Sequence, residues 1–163
     1  MSTGPATDAA GSFAAVHHVG VTVADLERAA AFWEAVLGVT ARDRTVLDGP
    51  GVATMVGYPG VRIRRCWVDL PGGIALELLE YLDRDDHPNP AGTAHPGNVH
   101  LCLRVEDMDA AHPHAVACGA EPVSPAPIEV QAGPLEGAKL AYLRDPDGVT
   151  IELFQPPPGH GRR

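Results

Sequence analysis

The chain has 163 residues, 45% of them hydrophobic, and its 21 acidic against 12 basic side chains give a formal net charge of -9. A chain of this size can bury one substantial core. Its net negative charge argues against binding to nucleic acid or to an anionic membrane. No apolar run reaches the length of a membrane span, and residues 1–12 lack the basic start and apolar stretch of a signal peptide. We therefore expect a cytoplasmic protein with a small-molecule substrate.

The first half of the chain predicts four strands and one clear helix. Asp25 is placed to cap a helix whose apolar side chains recur at three-and-four spacing from Leu26 to Leu37, and Gly38 marks its end. Residues 48–60, rich in glycine, predict a loop or a short helical excursion. The strands are predicted within residues 16–25, 39–45, 61–70 and 74–81, the last two joined by a Pro-Gly-Gly hairpin turn.

The second half predicts a similar order of elements. Asp107 heads a helix that continues to Cys118 and stops at Gly119, and Pro113 inside it should kink or delay the helix. Residues 128–137 predict a loop that contains glycine. The strands are predicted at residues 99–105, 121–127, 139–144 and 149–154, the last two joined by an Asp-Pro-Asp-Gly turn.

An internal repeat relates the two halves. At an offset of 82 residues, His18 and Asp25 lie over His100 and Asp107, and at an offset of 75 residues Leu-Glu-Leu-Leu at 76–79 lies over Ile-Glu-Leu-Phe at 151–154. Because neither copy could cover its own sheet, the repeat predicts one pseudo-symmetric α+β domain of two βαβββ modules. We expect the modules to form a cupped, eight-stranded mixed sheet.

The predicted boundaries follow from the repeat and from composition. The domain is expected to span residues 15–155, and small, polar composition predicts flexible tails on both sides of it. The boundaries are a tail at 1–14, a first module at 15–82, a linker at 83–97, a second module at 98–155 and a tail at 156–163.

Four polar side chains stand opposite the apolar stripes of four strands. Side chains alternate between the faces of a strand, so His18, Glu77, His100 and Glu152 each face away from the residues that pack under a helix. Neutral imidazoles and carboxylates suit a divalent cation, and four such ligands leave two positions of an octahedron for water or substrate. Any one of these residues alone would be interpreted as a solvated surface group, but four in repeat register favour a metal site.

Two neighbouring residues are predicted not to be ligands. His17 adjoins His18, and Glu80 lies three residues beyond Glu77. A displacement of one or three residues reverses the face of a strand, so both are expected to point toward the helix side.

The cysteines and the other basic residues give weaker signals. The three cysteines are widely spaced and contain no Cys-x-x-Cys pair, so neither a disulfide framework nor a thiolate zinc site is indicated. Cys102 is expected to share a strand face with His100 and could line a pocket. Five basic residues that could meet anionic groups are interpreted as ordinary solvated charges: Arg62, Arg64, Arg65, Arg104 and Lys139.

Several motifs carry a resemblance to a known family. They are His-His-Val-Gly-Val-Thr-Val-Ala-Asp-Leu-Glu at 17–27, a helix with Phe-Trp that ends Val-Leu-Gly, Leu-Glu-Leu at 76–78, and Asp-Pro-Asp-Gly-Val-Thr-Ile-Glu-Leu at 145–153. Over residues 16–155 the chain resembles the vicinal oxygen chelate superfamily, its glyoxalase I-like members most closely. The resemblance implies paired βαβββ modules around a metal, with ligands at His18, Glu77, His100 and Glu152.

The resemblance also implies a reaction class. We expect a divalent-metal-dependent lyase or isomerase of glyoxalase I type, which transfers a proton through a metal-bound enediolate of a small substrate with vicinal oxygens. Glu152 or Glu77 would be the base, and the cofactor would be one Ni, Co, Mn, Zn or Fe ion per site. We also expect a homodimer.

Three alternatives stay open. A methylmalonyl-CoA epimerase-like racemase shares the fold, but such epimerases typically carry glutamine at the position of Glu77 and a further glutamate on the third strand, where residues 61–70 offer only Asp69. An extradiol-type dioxygenase uses iron with two histidines and one carboxylate, and a fourth ligand at Glu77 argues against it. Non-catalytic drug-binding proteins of the bleomycin-resistance type generally lack the ligands, so the retained set favours an enzyme.

Overall fold

The computed structural model of the chain describes residues 14–82 and 92–159. The predicted tails and the predicted linker fall wholly or partly outside these ranges. The first module contains β1 (His18–Thr22), α1 (Leu26–Leu37), β2 (Arg42–Leu47), α2 (Gly49–Val56), β3 (Ile63–Asp69) and β4 (Ala75–Tyr81). The second contains β5 (His100–Arg104), α3 (Met108–Ala117), β6 (Glu121–Pro122), β7 (Ile128–Glu129), β8 (Lys139–Arg144) and β9 (Thr150–Gln155).

Both predicted helix caps are present. The side chain of Asp25 accepts a hydrogen bond from the backbone N–H of Arg28, and Gly38 ends α1 in the left-handed conformation at φ 68°. Asp107 caps α3 by accepting from two backbone N–H groups of the first turn. Helix α3 begins directly after this cap and continues through Pro113, so the proline does not delay its start.

The strands form two sheets rather than the expected single sheet of eight strands. The first sheet has the order β1-β4-β3-β2, and the second has the order β5-β9-β8-β6 with β7 also paired to β8. The ninth strand arises because part of the predicted loop at 128–137 pairs with Leu140 and Lys139. In each module the first strand pairs in parallel with the last, so the repeat seen in the sequence is also a repeat of topology. The α+β fold of paired βαβββ modules is confirmed.

The apolar stripes of both sheets are buried as predicted. Leu76 and Leu78 are completely buried in β4, and Ile151 and Leu153 are buried at the equivalent places in β9. Together with Trp33 of α1 they belong to one hydrophobic cluster that draws on both modules. Complete burial of each large aliphatic side chain stabilises the fold by about 1.5–3 kcal/mol, so these residues determine which strand face is turned inward.

Candidate metal centre

The first predicted ligand pair forms between the parallel strands β1 and β4. The imidazole Nε2 of His18 lies 3.2 Å from Oε2 of Glu77. The strand register places Gly20 beside Glu77, so His18 lies diagonally across the two strands from the carboxylate that it contacts. The His18 side chain is 37% exposed and that of Glu77 is 13% exposed, so the pair opens to solvent at the imidazole.

The second pair repeats this construction between β5 and β9. The imidazole Nε2 of His100 lies 3.0 Å from Oε2 of Glu152, with side-chain exposures of 43% and 16%. The residue beside Glu152 in the register is Cys102, where the first module has Gly20. Each sheet therefore has one histidine and one carboxylate on the same face, as the alternation of side chains along the strands predicts.

The surroundings of Glu77 are cationic and aromatic. Its second oxygen, Oε1, accepts a hydrogen bond from Nη1 of Arg65 at 3.3 Å. Trp67 lies opposite Glu77 on β3, and its ring meets the His18 ring edge-on with the ring centroids 5.2 Å apart. The Arg65 guanidinium lies over the same tryptophan, 5.3 Å from the ring centroid.

Among the described residues, no arginine lies within ion-pair distance of Glu152. Its neighbours across the strands are the phenol of Tyr142 and the thiol of Cys102. Tyr142 lies opposite Glu152 on β8, and its ring centroid is 5.4 Å from that of His100. Removal from water, followed by the charge of Glu152, raises the pKa of the Cys102 thiol to about 11. The same two causes raise the pKa of Tyr142. Both groups therefore keep their protons at neutral pH.

The two pairs have a separation that suits a metal, but the chain does not bring them together. Two ligands at right angles around a cation, each about 2.1 Å from it, lie about 3 Å apart, which is the distance within both pairs. Across residues 14–82 and 92–159 no group of three or more His, Cys, Asp or Glu side chains is placed to hold a metal ion. Each pair thus fits half of a four-ligand site, and the halves belong to different sheets.

The two residues predicted not to be ligands have different outcomes. Glu80 does face the helix side, where Oε2 accepts hydrogen bonds from the backbone N–H of Leu26 at 3.3 Å and from Arg64 at 3.0 Å. The expected direction of His17 is wrong, because its Nδ1 lies 2.8 Å from Nδ1 of His18 and its ring centroid lies 6.2 Å from that of Trp67. That His17 is not a ligand stays a prediction. Strand β1 begins at His18, so the alternation of faces does not extend to His17.

Arg65 and Trp67 contact the first pair, although neither is predicted from the sequence to lie at the site. The signal was available in the Pro-Gly-Gly turn, since a hairpin centred near Gly72 pairs residue 67 with residue 77 and so places Trp67 beside Glu77. The same region contains a cavity of about 490 Å³ whose lining includes His17, Arg42 and Trp67. This cavity adjoins the first pair at the start of β1.

A family model described as the Glyoxalase/Bleomycin resistance protein/Dioxygenase superfamily matches residues 17–136. The chain belongs to this superfamily. A 2-epi-5-epi-valiolone epimerase from an Actinomyces species is 30% identical over 148 residues, which cover 89% of this chain and 81% of that protein. The human mitochondrial methylmalonyl-CoA epimerase is also 30% identical over 148 residues, covering 86% of this chain and 73% of that protein.

Solved structures of the superfamily share the fold. A glyoxalase family protein from Bacillus cereus superposes with a TM-score of 0.72 at 23% sequence identity, covering 86% of this chain and 93% of that chain. Among the residues that the structure describes, no helix is both long and apolar enough to span a membrane. The superfamily match and the epimerase relatives support an isomerase activity on a small molecule.

Proposed function

We propose that the protein is a metal-dependent isomerase that removes a proton from a carbon beside a carbonyl and returns it, and that an epimerisation is its physiological reaction. The observation that carries this proposal is the pair of His–Glu contacts, 3.2 Å and 3.0 Å long, at repeat-related positions. The two epimerase relatives, each 30% identical, support the choice of epimerisation within this class.

The proposed ligands are His18, Glu77, His100 and Glu152, holding one divalent Ni, Co, Mn, Zn or Fe ion. When bound, the metal would polarise the substrate carbonyl and so make the neighbouring C–H bond more acidic. The chain would supply the acid and the base: one glutamate would take the proton as the C–H bond breaks, and a second protonated group must return a proton to the opposite face of that carbon, because return to the same face would restore the starting configuration. The protonated groups beside Glu152, the Cys102 thiol and the Tyr142 phenol, line the same strand face.

We propose that a homodimer completes the site. Within one chain the His18–Glu77 and His100–Glu152 pairs lie in separate sheets and do not form a group that could hold a metal. A second copy related by a two-fold axis could place its second pair against the first pair of its neighbour, and the same axis would generate two equal sites.

The second candidate function is glyoxalase I-type isomerisation of a 2-oxoaldehyde adduct. The presence of a glutamate in both pairs supports it, because either carboxylate could then handle the proton. The two candidates share the proton-transfer step and differ in the substrate that the pocket accepts.

The test begins with elemental analysis of protein purified without chelators, for which we expect about one divalent ion per chain. The metal-loaded protein is then incubated in D₂O with methylmalonyl-CoA, with 2-epi-5-epi-valiolone and with the glutathione adduct of methylglyoxal. Deuterium incorporation at the acidic carbon of an epimerase substrate, seen by mass spectrometry, supports the proposal, whereas turnover of the adduct alone supports the second candidate.

A matched pair of variants controls this test. His100→Ala removes a proposed ligand from the exposed strand face and should abolish both metal binding and exchange without unfolding the chain. Glu80→Gln alters a glutamate on the helix side of the sheet and should retain both. Protein that holds no metal, and cannot be loaded with any of the five ions, would contradict the proposed function.

A further inference from the structure

The two oxygens of Glu77 have different partners. Oε2 lies 3.2 Å from Nε2 of His18, on the side where the proposed metal would sit. Oε1 accepts a hydrogen bond from Nη1 of Arg65 at 3.3 Å. We propose that Arg65 is a positioning residue that engages one oxygen of Glu77 and so leaves the other to bind the metal. This inference rests on the proposed metal site.

Arg65 is itself held in place by its neighbours. Its guanidinium lies 5.3 Å from the centroid of Trp67, and its side chain is only 24% exposed. Its Nε is buried without a hydrogen-bond partner in the described part of the chain, so the side chain is enclosed by the sheet surface and the tryptophan. A planar guanidinium stacked on an indole loses little further freedom when it donates to a carboxylate.

The second module lacks this device. Trp67 and Tyr142 are equivalent, since they lie opposite Glu77 and Glu152 respectively. The residue two positions before Tyr142 is Leu140, at the place that Arg65 occupies before Trp67. Within the described ranges, His100 is the only basic residue at ion-pair distance from Glu152.

This asymmetry gives the two glutamates different freedom to move. A hydrogen-bond partner behind a metal ligand fixes the orientation of that ligand, and losing such a partner typically costs about 10- to 100-fold in metal affinity or activity. Glu77 has such a partner in Arg65 and would be the fixed ligand. Among the described residues Glu152 has no guanidinium partner, and the Cys102 thiol that hydrogen-bonds it is a weaker donor, so Glu152 would be the carboxylate that is freer to take a proton.

The experiment measures Co²⁺ affinity by calorimetry, together with the visible absorption of the bound ion, which reports its coordination. Arg65→Met keeps the unbranched apolar stem of the side chain but removes the guanidinium donor, and we expect its Kd for Co²⁺ to rise about tenfold with a changed spectrum. Arg65→Lys keeps one charged donor and should recover most of the affinity. If Arg65→Met does not fold by circular dichroism, Arg65→Leu, which also has no donor, replaces it with the same expected weakening.

Arg64→Met is the matched control. Arg64 is the preceding residue of β3, but its guanidinium lies on the helix side of the sheet, against Glu80 at 3.0 Å and Glu27 at 2.6 Å. This variant should bind Co²⁺ like the wild type. If the wild type binds Co²⁺ and Arg65→Met binds it with an unchanged Kd and spectrum, the proposed role of Arg65 is overturned and the metal site is not. A wild type that binds no divalent ion would overturn the metal site, and with it both proposals.

Discussion

Arg28 of α1 and Asp147 of the β8–β9 turn form an ion pair that joins the two modules, with Nη2 of the arginine 2.5 Å from Oδ1 of the aspartate. The same Oδ1 accepts a hydrogen bond from the backbone N–H of Ala24 at 3.0 Å. The Asp147 side chain is only 8% exposed, whereas the Arg28 side chain is 50% exposed. The start of α1 is therefore attached to the turn that precedes the strand carrying Glu152.

We expect Arg28→Ala to lower the free energy of unfolding modestly, because the Asp147 carboxylate would keep only its backbone partner. A double-mutant cycle with Asp147→Ala should give an interaction energy of up to about 1 kcal/mol, the range for a half-exposed pair. Urea unfolding of the four proteins measures it. A coupling energy of zero would show that the pair does not contribute to joining the modules.

The neighbouring Asp145 predicts a pH dependence of stability. Burial is the main cause that raises its pKa above the ordinary value of 3.8, although hydrogen bonds from the backbone N–H groups of Val149 and Asp147 oppose this. A raised folded-state pKa contributes stability below about pH 3.8, and that contribution is lost as the pH rises through the folded-state pKa.

Asp145→Asn removes this titration and keeps an oxygen to accept both backbone hydrogen bonds at Oδ1. The stability of the variant relative to the wild type should therefore be greater at pH 7 than at pH 4, as measured by urea unfolding at each pH. Asp48→Asn, which changes an exposed aspartate that caps no helix by its side chain, is the matched control. A relative stability of Asp145→Asn that does not change with pH would refute the role assigned to burial.

A site shared between two copies predicts complementation. His18→Ala and His100→Ala chains should each fail to bind metal when pure. Mixed dimers would contain one site with both intact halves and one site with neither. Random pairing makes about half of the dimers mixed, so refolding the two variants together should restore about a quarter of the wild-type metal content. Elemental analysis of the mixture decides the matter, and failure to restore any metal in verified mixed dimers would place each site within one chain.

Four conservative variants compare the candidate ligands with their neighbours. We expect His18→Gln and Glu77→Gln to weaken metal binding by more than the roughly 10-fold that loss of a hydrogen-bond partner costs. Glu80→Gln should retain metal but lose stability, because Glu80 binds Arg64 and the start of α1. His17→Gln should retain metal and most activity despite its contact with His18. If a metal titration shows that the His17 or the Glu80 variant no longer binds metal, the ligand assignment is refuted.

The alternation of side chains between the two faces of a strand could be predicted from the sequence, but contacts made by residues beyond the strand ends could not. The buried pair Leu76 and Leu78 determines the face of Glu77, and the same rule applied to β9 gives the face of Glu152. His17 lies one residue before β1, where no partner strand enforces an extended backbone, so the rule failed there. The division into two sheets depends on how the modules pack, which a repeat pattern does not encode.

Arg65 illustrates the remaining gap in sequence reasoning. A lone arginine in a strand is usually a solvated charge, and its sequence neighbours Arg64 and Cys66 give no contrary signal. Its importance follows from a diagonal contact across two strands, to a glutamate 12 residues away. Such a contact becomes visible only when the strand register and the side-chain directions are both known.

Helix α2, between β2 and β3, has no buried residue in its eight-residue length. Its opening therefore costs far less free energy than global unfolding, since no core contact is lost. We expect limited proteolysis to cut the chain first within this segment, and the two fragments to remain associated through the β2–β3 pairing. The same property makes it the place where a circular permutation could open new termini, or a reporter domain could be inserted, at a distance from the shared core.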